Sequence, residues 1–316
     1  MNVVSLFCGA GGLDLGFIQA GHKVIWASDI DEHAVETYKH NISNHVHLAD
    51  IREIDASLIP DCDIVVGGFP CQGFSVANMG RSANDSRNQL YLELLRVIRE
   101  KAPAFFLAEN VKGLLSLEKG QVFQAILGDF SALGYVVKHR VLNAADYGVP
   151  QKRERLIIVG VRNDIEFDFN FPAPTHAPRE KATLLGLQPW VSIGDALANI
   201  PEPEEAPHIP NHTYSKYKLR FNGYLGHRRI DPTLPAPTVT ARGDNKGGVV
   251  VLHHPNNHRR MSARELASTQ SFPLDYAFQC NRSIAYRLIG NAVPPLLAAA
   301  VARAFPKKAP PARSRS

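Results

Sequence analysis

The chain has 316 residues, of which 45% are apolar and 21% charged. That is ordinary for a globular protein, and long enough for two domains or for one large α/β domain with an insertion. A net charge of +5 and a pI near 9.0 are compatible with a polyanionic partner. No apolar run approaches the roughly 20 residues that cross a bilayer, and the opening MNVVSLFCGAGG lacks the basic segment and cleavage site of a secretory leader. The four cysteines (Cys8, Cys62, Cys71, Cys280) form no C-x-x-C pair. A cytoplasmic protein without a disulfide framework or a metal site is therefore expected.

Along the first 160 residues strand-like and helix-like runs alternate. NVVSLF reads as a strand followed by a glycine turn, LDLGFIQAG as a helix, KVIWASD as a strand and EHAVETYKHN as a helix. DIVVGGF is a third strand. RNQLYLELLRVIREKAP has apolar residues at helical spacing and stops before a proline. AFFLAENV and RLIIVGV are again strand-like. Such alternation predicts a doubly wound, mostly parallel sheet with ligands at the carboxyl ends of its strands.

From residue 168 the texture changes to proline, histidine and aromatic residues with little periodicity. The expected organisation is a catalytic and cofactor-binding domain over 1–167, a smaller irregular domain over 168–280, a return to the first domain over 281–306, and a disordered basic tail over 307–316.

Chemistry gathers at the strand ends. FCGAGGLDLGF (7–17) places a glycine loop before a helix, so that backbone N–H groups face a ligand. It departs from the dinucleotide fingerprint because Asp14 stands where a third glycine belongs, which disfavours a nicotinamide or flavin oxidoreductase. Asp29 ends the second strand, where it can take a ribose diol, and Asp50 is placed for an adenine amino group. Together these point to an adenosine-bearing cofactor. In GGFPCQGFS (67–75) a thiol, Cys71, sits on the rim of a strand in an accessible loop. Glu109 ends its own apolar strand, where desolvation would raise its pKa and let it donate a proton. Arg153 and Arg155 alternate on one strand face, where they can clamp an anionic or carbonyl-bearing substrate. HHPNNHRRMS (253–262) offers three histidines but no nearby cysteine or carboxylate, so a loop facing a polyanionic partner is expected there rather than a metal site.

In family order, these segments resemble the motifs of bacterial DNA (cytosine-5) methyltransferases of the restriction–modification type. FCGAGGLDLGF resembles the first motif, ASDID the second, ADI the third, GGFPCQGFS the fourth, ENV the sixth and QKRERLIIVG the eighth. DPTLPAPTVTAR (231–242) and GNAVPP (290–295) resemble the ninth and tenth, so the resemblance spans residues 3 to about 305. It implies a Rossmann-like, S-adenosylmethionine-dependent fold with a target-recognition domain, acting on double-stranded DNA as a monomer. A cognate restriction endonuclease would act on the same site.

The resemblance implies Cys71 as nucleophile, Glu109 as the acid at a flipped cytosine, and Arg153 lining the base pocket. It implies cofactor contacts from Phe7, Gly9, Gly11, Gly12, Leu13, Asp29, Asp50, Ile51, Pro70, Asn291 and Val293, and DNA contacts from Gln72, Ser75, Arg87, Arg155 and Arg242. The stretch after Cys71 would be a lid closing over DNA. At the second motif an acid is usually followed by tryptophan, whereas Ile30 follows Asp29 here. An RNA cytosine-5 methyltransferase and a catalytically silent DNA-binding relative are the alternatives, and the intact Cys71, Glu109 and Arg153 disfavour the second.

Overall fold

The computed structural model describes residues 1–70, 89–216, 218–223, 227–241 and 251–311. Cys71, Gln72, Ser75, Arg87 and Arg242 lie outside the described residues, as does the stretch expected to form a lid.

Seven strands form one sheet: β1 (Asn2–Leu6), β2 (Lys23–Asp29), β3 (Val46–Leu48), β4 (Ile64–Gly68), β5 (Phe105–Val111), β6 (Tyr135–Asn143) and β7 (Glu154–Arg162). Their order is β3-β2-β1-β4-β5-β7-β6. The first five are parallel, and β7 runs antiparallel to both of its neighbours. The sequence order reverses between β1 and β4, which opens a crevice at the carboxyl ends of those strands.

The strands are continuous apolar runs because both faces of the sheet are covered. Alternate residues go to opposite sides. Val3, Ile64, Val66, Phe105, Leu107, Ile157 and Val159 meet helices α1 (Gly12–Gln19), α2 (Glu32–Asn41) and α9 (Pro295–Ala302). Val4, Val65, Phe106, Ala108, Leu156 and Ile158 meet α3 (Gln89–Lys101) and α4 (Gln121–Ala132). Asp31 starts α2 by accepting N–H bonds from His33 and Ala34, an N-cap that ties the end of β2 to the helix after it.

Beyond β7 come a two-residue parallel pair, β8 (His176–Ala177) with β9 (Gln188–Pro189), and three short helices, α5 (Arg179–Leu185), α6 (Ile193–Leu197) and α7 (Ala263–Thr269). Between them the described chain is irregular, as its composition predicts. Residues 251–280 are tied to the first motif: Phe272, Tyr276 and Phe278 share a core with Ala10 and Ala34, and the Tyr276 hydroxyl donates to the Ala10 carbonyl at 2.5 Å.

Among the described residues one apolar stretch, Arg282–Ala302, has the length and composition of a bilayer span. It is two helices, α8 (Arg282–Asn291) and α9, broken where Ala292 and Pro294 are extended. Most of it is buried in the protein. Helix α9 packs on α1, and the ammonium of Met1 donates to the Lys307 carbonyl at 3.2 Å.

Candidate active site

The glycine loop leaves β1 in a strained course. Phe7 and Gly9 both have φ of +54°, a left-handed conformation natural to glycine and costly for phenylalanine. A Cβ added to Gly9 would meet nothing within 4 Å, so bare backbone borders open space there. At Gly12 the reason for glycine is different. A Cβ would lie 2.4 Å from the Val293 carbonyl, because the GNAVPP turn presses directly on the first motif.

Asp29 is aimed by two backbone donors, Gly9 N–H to Oδ2 at 2.7 Å and Asp31 N–H to Oδ1 at 2.9 Å. Burial pushes its carboxyl above the usual range, and these N–H groups pull it back only in part. Asp50 is already engaged. The Arg52 Nε donates to its two oxygens at 2.9 and 3.0 Å, and Arg52 Nη2 joins them. The Arg52 guanidinium holds the Asp50 carboxyl below its ordinary value.

Phe7, Asp29, Asp50 and Ile51 border one cleft of about 300 Å³. Ile30 lines it too, at the position after the second-motif acid, as do Ser28, Ala49, Arg52 and Leu90, which have no signal of their own in the sequence. Ile30 is 66% exposed there, an apolar face left open to the cleft. Gly11 caps α1, and the Leu13 side chain lies in the core rather than the cleft. Val293 is buried behind Gly12, while Asn291 and Pro70 are exposed.

The second cluster lies one strand further along. Glu109 on β5 is opposite Gly68 on β4, two residues before Pro70. Asn110 Nδ2 donates to the Phe69 carbonyl at 2.9 Å and fixes the chain just ahead of the proline–cysteine pair. Arg155 pairs with Val111 across the antiparallel β5–β7 ladder, a diagonal neighbour of Glu109 on the same face. Its Nε stands 2.8 Å from Glu109 Oε1, with the two side chains only 12% and 11% exposed. Burial raises the Glu109 pKa; the charges of Arg155 and then Arg153 oppose it without cancelling it.

Arg153 turns elsewhere. Its guanidinium is fully buried and donates to the carbonyls of Val239 at 2.7 Å, Gly290 at 2.8 Å and Ala292 at 2.9 Å. The two arginines that look equivalent in QKRERL therefore differ: one faces the acid, and the other is capped by backbone.

The three described cysteines are not poised as nucleophiles. Burial raises the Cys8 thiol far above its ordinary value, Cys62 to about 12 and Cys280 to about 11. In the segment 253–262, expected to face DNA, Asn256 and His258 are exposed while the arms on either side of them pack inward. His253 and Arg260 are fully buried, and Arg259 forms a two-pronged pair with Glu265 at 2.7 and 2.8 Å and a further bond to Glu202.

The chain matches the family model for C-5 cytosine-specific DNA methylase over residues 1–307. It is 41% identical to the Type II methyltransferase M.NgoFVII of Neisseria gonorrhoeae, over 93% of this chain and 83% of that protein. Identity to M.BspRI of Lysinibacillus sphaericus is 38%, over 96% of this chain and 81% of the other. Among solved structures it resembles one described as a prophage-encoded DNA modification methyltransferase of E. coli. The TM-score is 0.78 and the identity 25%, covering 96% of this chain and 98% of that one. The S. pombe Dnmt2 structure shares the fold at a TM-score of 0.71 and 19% identity, covering 95% and 96%. With the strand order, the Glu109–Arg155 pair and the cleft at the carboxyl ends of β1, β2 and β3, these likenesses agree: the chain belongs to the C-5 cytosine-specific DNA methylase family and is a DNA (cytosine-5) methyltransferase of the restriction–modification type.

Proposed function

We propose that the enzyme uses S-adenosylmethionine to methylate C5 of a cytosine turned out of a short specific site in duplex DNA, through a covalent bond between Cys71 and C6. The observation that carries this reading is the nearly dry Glu109–Arg155 pair beside the strand end that leads to Cys71.

The cleft suits the donor's adenosine half. Bare backbone at Gly9 leaves room for close approach, Asp29 is oriented to accept from ribose hydroxyls, and Ile30 offers a flat apolar contact to adenine. Asp50 can take an amino group by sharing its carboxylate with Arg52. When bound, S-adenosylmethionine supplies an electrophilic methyl group.

Cytosine C5 is a poor nucleophile until the ring's aromaticity is broken. The Cys71 thiolate adds to C6, and the electron pair of the C5=C6 bond becomes available at C5 while negative charge develops toward N3 and O2. Glu109, its proton favoured by burial, donates at N3. Arg155 holds that carboxyl in place and presents a cation to the carbonyl side. After C5 has been methylated, a base removes its proton and the thiolate leaves. None of these atoms is reachable inside a stacked duplex, so the base must leave the stack.

We assign target recognition to the 168–280 region, with 251–280 as its anchor on the core through Tyr276 and Phe272. Gln72, Ser75, Arg87 and Arg242 are assigned to DNA contact, and Arg155 to the pocket. The enzyme is read as a cytoplasmic monomer paired with an endonuclease of the same specificity. Bisulfite sequencing of DNA from cells expressing the chain tests this reading. Cytosine protected at one short sequence by the wild type, and by no Cys71→Ser protein, is the expected result; no protected site overturns it.

A further inference from the structure

The segment Val149–Arg153 is sewn to two distant parts of the chain. Ala236 N–H donates to the Pro150 carbonyl and Lys152 N–H to the Ala236 carbonyl, at 2.9 and 2.8 Å. Gln151 Oε1 accepts from Val239 N–H at 2.9 Å, and its Nε2 donates to Gln270 Oε1 at 3.1 Å. Gln270 in turn donates to the Ile289 carbonyl at 2.5 Å. Arg153 closes the seam with three carbonyls, two of them at the carboxyl end of α8, where the last orphan carbonyls and the helix dipole favour a cation.

A dry guanidinium is costly to bury. At this position its three acceptors are all backbone carbonyls. The residues it links matter for the reaction. Two positions ahead is Arg155, which faces Glu109, and between Gly290 and Val293 is the turn that presses on Gly12 at the cofactor loop.

We propose that Arg153 is a positioning residue that fixes the base pocket of Glu109 and Arg155 in register with the donor-side turn Gly290–Val293. This rests on the function proposed above. It assigns to Arg153 the alignment of C5 with the methyl group, and no contact with the base. A misplacement of about 1 Å between reacting atoms can cost on the order of 10²-fold in rate. A lysine there reaches fewer of the three carbonyls than the guanidinium fork, and a methionine reaches none.

Two rates separate alignment from activation. Addition of Cys71 to C6 makes C5 basic, so release of tritium from a 5-tritiated cytosine duplex without a donor reports addition followed by proton exchange at C5, with no methyl to align. Single-turnover methyl transfer at saturating S-adenosylmethionine reports addition together with alignment. The full-length Arg153→Lys and Arg153→Met proteins should release tritium within about threefold of wild type. Methyl transfer should fall at least about tenfold in Arg153→Met and less in Arg153→Lys. Methionine removes the buried charge with its bonds and lysine keeps a charge, so a folding defect in one need not befall the other; thermal melting checks both.

Equal losses in both rates place Arg153 in the base pocket or in folding, and overturn the proposal. So do unchanged transfer, or two variants that fail to fold. If wild-type protein transfers methyl but releases no tritium, the covalent reading of the site falls, and this assignment with it.

Discussion

Asp14 is the most deeply buried acid of the cofactor loop, and its titration can be worked out from its surroundings. It accepts from Ser5 Oγ at 2.6 Å and Tyr38 Oη at 2.8 Å and has no exposed surface. Burial raises its pKa from 3.8 to about 6; the two hydroxyls oppose the shift and the nearby Asp29 adds to it. A folded-state value above the unfolded one means that the protonated form favours folding. That stability is fully present below about pH 4 and is lost as pH rises through 6. The whole change is about 3 kcal/mol, of which about 2 kcal/mol falls between pH 4.5 and 7.5.

Asp14→Asn keeps the shape and removes the proton. Urea unfolding of both proteins across that pH range gives the difference in stability. The wild type should lose about 2 kcal/mol relative to Asp14→Asn on going from pH 4.5 to 7.5. A difference that is flat, or that grows in the opposite direction, refutes the argument that desolvation dominates at Asp14.

With S-adenosylmethionine present, a duplex carrying 5-fluorocytosine at the target should trap wild-type protein as a covalent adduct on denaturing gels, because fluorine cannot leave C5 as a cation. Cys71→Ser should give no adduct, whereas Cys8→Ser, Cys62→Ser and Cys280→Ser should still be trapped, since burial holds those three thiols protonated. Glu109→Gln should lower methyl transfer by roughly 10²–10⁴-fold with the Kd for S-adenosylhomocysteine within about twofold of wild type; equal turnover removes Glu109 from the mechanism. Asn110→Asp replaces the donor to the Phe69 carbonyl with a second carboxyl beside Glu109, so it should destabilise by about 1–3 kcal/mol in denaturant unfolding and slow adduct formation. DNA affinity should fall steeply between low and physiological salt, with a slope set by the number of phosphates contacted; a flat titration contradicts that count.

The strands buried on both faces were legible because continuous apolar runs between turn residues leave few alternatives: NVVSLF, KVIWASD, AFFLAENV and RLIIVGV all correspond to strands. β3 is only Val46–Leu48, too short to carry a period, and β6 is an edge strand. In β6, Lys138, His139 and Arg140 interrupt the apolar alternation, because one side of the strand has no neighbour to bury it. Glu109 was legible for the same reason as its strand: an acid at the end of an apolar run has few ways to stay wet. The difference between Arg153 and Arg155 was not, since they alternate in QKRERL as if on one strand face, whereas β7 begins at Glu154 and Arg153 is met by residues 239 and 290–292. The burial of Arg259 was hidden likewise: the acids that neutralise it are Glu202, 57 residues away in the chain, and Glu265 beyond the histidine run.

The contact between Met1 and Lys307 brings two segments far apart in the sequence side by side. Helix α9 lies on α1, the first helix of the chain, and the GNAVPP turn presses on Gly12, so the last motif is a spatial neighbour of the first. Assembly of the cofactor cleft therefore depends on which segments touch and not on which is translated first. A rearranged gene that places residues 282–307 ahead of Met1 through a short linker would present the same surfaces to one another. Linear motif order is then a record of how the gene is written, and a search for relatives that insists on that order would overlook proteins with the same cleft.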